Sequence, residues 1–170
     1  MSLYNKKALY KIRKMKRKYA AAINTWEYGP PYEIYSFTGD REEMDQLLSG
    51  YYFAVIDDTY SGKDKITGFF AIGPAAQKIC DESNDIFQNE SYTDIAFGLR
   101  PDLTGKGLGE NFMEACISKA KELFPGDGIR ICVMKNNIRA IKLYEKMRFK
   151  KIFENHEYMI MISEGIYACD

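Results

Sequence analysis

Three glycines at alternate positions, Gly105, Gly107 and Gly109, with Lys106 between the first two, are the residues of this chain best suited to hold a phosphate. Glycine adopts backbone conformations that a side chain forbids, and it lets main-chain N–H groups approach a ligand closely. A helix that begins at such a turn adds the positive end of its dipole. The chain supplies both neighbours: Tyr92 to Leu99 alternates as a strand, and Leu108, Phe112, Ala115, Cys116 and Leu123 recur at helical spacing. Two familiar phosphate loops do not fit. A Walker loop requires glycine five residues before its Gly-Lys pair and Ser or Thr after it, where this chain has Arg100 and Gly107. A dinucleotide fingerprint requires G-x-G-x-x-G within a series of βαβ units, whereas the spacing here is G-x-G-x-G. Taken alone, the turn also reads as a tight strand-to-helix connection.

A second motif narrows the reading. Residues 131–149 run as a short buried strand, an Asn-rich helix start at Asn136-Asn137, and an amphipathic helix carrying Tyr144. Together the two segments resemble the GNAT superfamily of N-acetyltransferases. The family's coenzyme loop, [Gln/Arg]-x-x-Gly-x-[Gly/Ala], is matched by Thr104 to Gly109, and its later signature, Asn-x-x-Ala-x-x-x-Tyr-Glu-Lys-x-Gly-Phe, by Asn137 to Phe149. Thr104 stands where Arg or Gln is usual, and Arg148 where Gly is usual. The resemblance implies one N-acetyltransferase domain over residues 1–170, of the α/β (α+β) class: a mixed, largely antiparallel sheet with helices on both faces and two strands that splay to admit acetyl-CoA. It implies that the coenzyme lies along Phe97, Gly98 and Leu99, on the loop Thr104, Gly105, Lys106, Gly107, Leu108, Gly109 and Glu110, and against Asn137 and Tyr144. Asn137 is equally suited to cap its helix.

Transfer of an acetyl group to an amine needs a neutral amine, a donor for the carbonyl oxygen and an acid for the leaving thiolate. Tyr144, seven residues or about two turns after Asn137, projects from nearly the same helix face and is the candidate acid. A phenol of pKa about 10 protonates a thiolate whose conjugate acid lies near 8.5 at a cost of about 2 kcal/mol unless the site compensates. The competing reading is a packed core tyrosine, since Ala140 and Met147 share its stripe. A main-chain N–H near Leu99 is the expected oxyanion donor. Some relatives place a glutamate base where this chain has Cys132, which leaves Asp94 as the candidate base and amine contact, or else a structural strand residue. Trp26, Glu27, Tyr28, Tyr32 and Tyr35 flank Pro30-Pro31 where the family builds its acceptor wall, and Trp26, Tyr28 and Tyr32 are the expected substrate contacts. The acids Asp81, Glu82, Asp85, Glu90 and Asp94 would attract a cationic amine if they face the cleft, and otherwise form solvated surface.

The elements that must position these groups are a strand from Leu9 to Met15, helices at Arg17 to Trp26 and Asp40 to Leu48, strands at Tyr51 to Asp57 and Ile66 to Ile72, and an irregular insertion at 73–91. Strand 92–99, helix 107–123, strand 129–134, helix 137–147 and strands near 149–153 and 157–163 follow. At 170 residues and 46% hydrophobic content the chain can bury one substantial core. Lys and Arg number 24, equal to Asp and Glu, so bulk charge does not point to nucleic acid. The basic residues from Lys6 to Lys18 alternate with Leu9, Ile12 and Met15, which favours a solvated first strand over an RNA-binding edge. No apolar run indicates a membrane span or signal peptide. Cys80, Cys116, Cys132 and Cys169 form no C-x-x-C pair, and with the single His156 they offer no zinc spacing, so the expectation is a reducing cytoplasm and no metal. The expected partner is a small-molecule or peptide amine, with a homodimer left open. The alternative function is a non-catalytic acyl-CoA sensor or interaction domain, which would have no use for the acid Tyr144.

Overall fold

The computed structural model describes residues 10–57, 66–81, 83–124, 126 and 128–164. The basic residues Lys6 and Lys7, the connection 58–65 and Glu82 lie outside the described residues. The strands are β1 (Tyr10–Lys14), β2 (Tyr52–Asp57), β3 (Ile66–Ile72), β4 (Tyr92–Leu99), β5 (Gly128–Met134), β6 (Lys150–Glu154) and β7 (Tyr158–Glu164). The helices are α1 (Arg17–Ile23), α2 (Arg41–Leu47), α3 (Pro74–Gln77), α4 (Gly109–Leu123) and α5 (Ile138–Lys146). One seven-stranded sheet has the order β1-β2-β3-β4-β5-β7-β6. Every pairing is antiparallel except β4 with β5.

Side-chain alternation along the strands decides which helices cover which face. Val55, Phe70, Ile95, Ile131 and Val133 pack with Phe112, Met113 and Cys116 of α4 and with Ile141 and Tyr144 of α5. Ala54 and Ile66 turn the other way, onto Ala20 and Ile23 of α1 and Leu47 of α2. On that second face Cys80 and Phe87, from the segment between β3 and β4, cover Cys132, Tyr158 and Ile160. Asp40 caps α2 by accepting from the Glu43 N–H at 2.9 Å. The helix expected to reach Trp26 stops at Ile23, because the chain turns at Asn24 and stacks the Trp26 indole on Phe69, with ring centroids 6.2 Å apart. No helix among the described residues is long and apolar enough to cross a membrane.

The parallel ladder is short. Tyr92, Thr93 and Asp94 pair with Gly128, Ile129 and Arg130, and beyond that rung β4 and β5 separate. The far side of β4 stays paired to β3 as far as Gly68 opposite Leu99. Two glycines make that pairing close. A Cβ on Gly98 would sit 2.2 Å from Phe69, its cross-strand partner, and one on Gly68 would sit 2.4 Å from Phe112.

At the end of α5, Arg148 takes φ 65°, the left-handed conformation that glycine adopts freely. Its N–H donates to the Glu145 carbonyl and the Phe149 N–H to the Tyr144 carbonyl, both at 2.9 Å, closing the helix end in a Schellman arrangement. The accompanying apolar contact is Phe149 against the Tyr144 ring, 5.9 Å between centroids. The Arg148 side chain is exposed. Relief of the left-handed strain outweighs glycine's added freedom when unfolded, so Arg148→Gly is expected to stabilise the fold by about 0.5–1 kcal/mol. Thermal and urea unfolding measure this; a less stable variant would refute the strain argument.

Candidate functional site

The residues where β4 and β5 part line a cavity of about 530 Å³ that the two faces of the sheet share. Gly107, Leu108, Gly109 and Leu143 bound it on the α4–α5 face, while Phe37, Tyr52, Phe69 and Ala75 bound it on the other. The Arg100 N–H donates to the Thr67 carbonyl at 2.8 Å and the Gly73 N–H to the Asp94 carbonyl at 3.0 Å. Antiparallel pairing alternates, so the even-numbered residues of β4 bond to β3. The main-chain groups of Phe97 and Leu99 consequently turn toward the gap that β5 has left. There the Leu99 carbonyl accepts the Tyr28 hydroxyl at 2.7 Å.

The glycine loop follows directly. Gly105 and Gly107 take φ 71° and 75°, and a Cβ on Gly109 would lie 2.8 Å from Leu143 of α5. Gly105 and Gly107 suit glycine by their backbone conformation, and at Gly109 a side chain would press on Leu143. The α4 N-terminus has no side-chain cap, so its first N–H groups stay available to an anion. Thr104 donates its hydroxyl to the Pro101 carbonyl at 2.8 Å. Arg139, in the first turn of α5, donates to the Thr104 hydroxyl at 3.3 Å, and its guanidinium carbon stands 3.8 Å above the Tyr32 ring. The cation that Thr104 does not provide is thus brought to the loop from a different helix. Arg139 occupies a variable position of the second motif, which is why spacing gave no sign of it.

Asn137 caps α5 through Oδ1, which accepts the Ala140 N–H at 3.2 Å, and the residue also lines the cavity. Tyr144 lines it too, 7% exposed, with its ring held between Phe149 and Phe97. Burial, and then the neighbouring Tyr35 phenol, push the Tyr144 phenol above its ordinary value. The Tyr35 hydroxyl is buried without a hydrogen-bond partner; the Asn137 side chain approaches it, short of good hydrogen-bond geometry. Burial raises the Tyr28 phenol as well, partly offset by the charge of Arg139.

Several residues chosen from sequence lie elsewhere. Asp94 is not brought to the cavity: its two oxygens accept from Arg130 Nε and Nη2 at 2.6 and 2.7 Å, and Gln77 donates to it at 2.8 Å. It is 7% exposed and Arg130 2%. Trp26 is buried beneath Phe69 and does not line the cavity. Lys106 is exposed at the loop tip, and Glu110 pairs with Lys146 at 2.5 Å; neither lines the cavity. Asp81, Asp85 and Glu90 are exposed outside it. Cys132 does line it, but is joined to Cys80 in a disulfide with Cα atoms 6.4 Å apart, a pairing the cysteine spacing had not suggested. Lys78, Ile34, Phe37, Tyr52 and Phe69 line it unannounced by any motif.

The family model for the acetyltransferase (GNAT) family matches residues 18–149. The spermine/spermidine N(1)-acetyltransferase of Bacillus subtilis (strain 168) is 39% identical over 46 residues, 27% of this chain and 30% of that enzyme. A domain from Methanocaldococcus jannaschii superposes with a TM-score of 0.68 at 17% identity, over 92% of this chain and 99% of that one. Campylobacter jejuni N-acetyltransferase PseH, solved with acetyl coenzyme A, superposes with a TM-score of 0.63 at 18% identity, over 92% and 99%.

The Asp94–Arg130 pair makes a stability prediction. Asp94→Ala leaves a buried guanidinium uncompensated and is expected to cost about 3–5 kcal/mol, whereas Asp94→Leu with Arg130→Met removes both charges and costs less. Urea unfolding of the two variants decides it. A single variant within 1 kcal/mol of the parent would show that the pair does not hold the fork.

Proposed function

This chain belongs to the acetyltransferase (GNAT) family, and on that premise we propose that it transfers an acetyl group from acetyl-CoA to a primary amine by direct attack within a ternary complex. The observation that carries this reading is the fork: two strands part at one rung, main-chain groups of Phe97 and Leu99 turn toward the gap, and a glycine loop at a helix start lies at its rim. These residues suit the coenzyme. The pyrophosphate would rest on the N–H groups of Gly105 to Gly109, with Arg139 adding charge, and the pantetheine arm would lie beside Phe97, Gly98 and Leu99. Bound there, acetyl-CoA supplies a thioester-activated acetyl group and a thiol leaving group.

What the chain contributes is polarisation, proton supply and dryness. A main-chain N–H of Phe97 or Leu99, facing the gap, hydrogen-bonds the developing oxyanion without reorganising. Tyr144 gives its hydroxyl proton to the departing sulfur and takes back, directly or through water, the proton that the attacking nitrogen sheds on becoming an amide, so that amine and acetyl-CoA give amide and free CoA thiol with the phenol restored. The burial that makes the phenol a weaker acid also makes a thiolate at that spot a stronger base, so the gap between them does not widen. Tyr28, by holding the Leu99 carbonyl, fixes the end of β4 and is a positioning residue.

Acetyl-CoA at 100 times its Kd is expected to stabilise the fold by about 2.7 kcal/mol. Gly107→Glu places negative charge and a strained backbone in the loop and should abolish the shift, while Arg139→Ala should weaken binding without removing it. Equal thermal shifts for parent and Gly107→Glu would take the loop out of the site. Tyr144→Phe should keep acetyl-CoA affinity within a few-fold and slow turnover by about 10²–10⁴. Because the phenol is raised, it stays protonated and kcat should show no alkaline fall below about pH 10. Turnover unchanged in Tyr144→Phe, where chemistry limits the rate, would assign the proton to another donor.

A further inference from the structure

The acceptor end of the cavity is walled by rings. Tyr52 and Phe69 form its floor from the sheet, Phe37 closes one side, and Ile34 and Ile79, 65% and 38% exposed, mark its mouth. Among the described residues two charged side chains line the cavity, and both are cations: Arg139 at the coenzyme loop and the exposed Lys78 beside Ile79. Among the described residues no Asp or Glu lines it. Asp94, next to the fork, has both oxygens occupied by Arg130 and Gln77. Cys132 is bonded to Cys80. The Tyr35 and Tyr144 phenols are pushed upward by burial, so both carry their protons.

Among the described residues, an ammonium group entering this space meets aromatic and aliphatic carbon, a repelling lysine and no carboxylate to take its proton. We infer that the acceptor is a weakly basic amine on an apolar or aromatic body, as presented by the α-amine of an amino-acid amide or a peptide, and that polycations are poor acceptors. The inference rests on the transferase reading above and names the acceptor that this site suits. With no carboxylate among the described residues of the wall, the amine loses its proton to water before it enters, and the rate follows the neutral fraction in solution. At pH 7 that fraction is about 1 in 7 for an α-amine of pKa 7.8 and about 1 in 2,500 for a lysine-like amine of pKa 10.4. The advantage is about 300-fold at pH 7 and falls to about 25-fold at pH 9.

The test is thiol release from acetyl-CoA with phenylalaninamide, the peptide Phe-Ala-Ala, Nα-acetyl-lysinamide and spermidine as acceptors, at pH 7 and pH 9. Acetyl-CoA binding is read separately by thermal shift. The ratio of kcat/KM for phenylalaninamide over Nα-acetyl-lysinamide is expected to exceed about 100 at pH 7 and to shrink about tenfold by pH 9. A larger kcat/KM for phenylalaninamide than for Phe-Ala-Ala identifies a small-molecule acceptor, and the reverse a peptide; each fits the inference. Lys78→Glu should raise kcat/KM for spermidine, more at low salt than at high. Spermidine equal to or better than phenylalaninamide at pH 7, or a ratio that does not move with pH, overturns the inference. Acetyl-CoA binding without thiol release to either α-amine overturns it while the coenzyme site stands. Failure of acetyl-CoA to stabilise the chain overturns the transferase reading itself.

Discussion

The geometry of the fork depends on one buried ion pair. Asp94 and Arg130 face each other on the last rung of the parallel β4–β5 ladder, bonded through two oxygens and two nitrogens. The remaining donors of Arg130 reach the main-chain carbonyls of Ile86 and Asn89, at 2.5 and 3.0 Å, and its plane lies over Phe87. Gln77, from α3, bonds the same aspartate. The guanidinium therefore ties the two strands, at the end of their short ladder, to the segment between β3 and β4. Desolvating both charges is costly, and the cost is met by nearly complete hydrogen bonding. What results is a fixed apex from which the cavity opens.

A second constraint works from the opposite side. Tyr144 belongs to the last turns of α5, and the helix end that follows closes on the Tyr144 carbonyl and packs Phe149 against its ring. The side chain is held by the same motif that stops the helix. Arg148 satisfies that motif despite being an L-residue, so the usual glycine is a matter of energy there and not of geometry. At the other end of α5, Asn137 caps the helix, and Arg139 in the next turn crosses to Thr104. One nine-residue helix thus reaches the glycine loop with its start and the interior of the fork with its end.

Local pattern made much of this fold legible. Strand alternation places β4 at 92–99 and β3 at 66–72, and Asp40 marks the start of α2. Helix limits shifted where tertiary packing intervened: α1 gives way at Ile23 so that Trp26 can be buried, and α4 starts at Gly109 because Gly105 and Gly107 are left-handed. For the site, what spacing exposed was backbone: the glycines, the capping asparagine and the tyrosine in register with it. What it hid was pairing across distance. Asp94 looks available until Arg130, 36 residues on, is seen facing it, and the Cys80–Cys132 pair spans 52 residues. The outer wall of the cavity is assembled from side chains that carry no motif, since any large apolar residue could fill those places, and only their convergence distinguishes them.

Gly98 and Phe69 face each other across two strands, with the phenyl ring lying where a Cβ would be. That ring is also the floor of the cavity and the surface on which Trp26 rests. The two positions are coupled. Alanine at 98 would push the Phe69 ring out of its place in the floor, and a smaller residue at 69 would open a void beneath the cavity and unseat the tryptophan. A change in the floor of this pocket is therefore accommodated most readily as a paired exchange at 69 and 98.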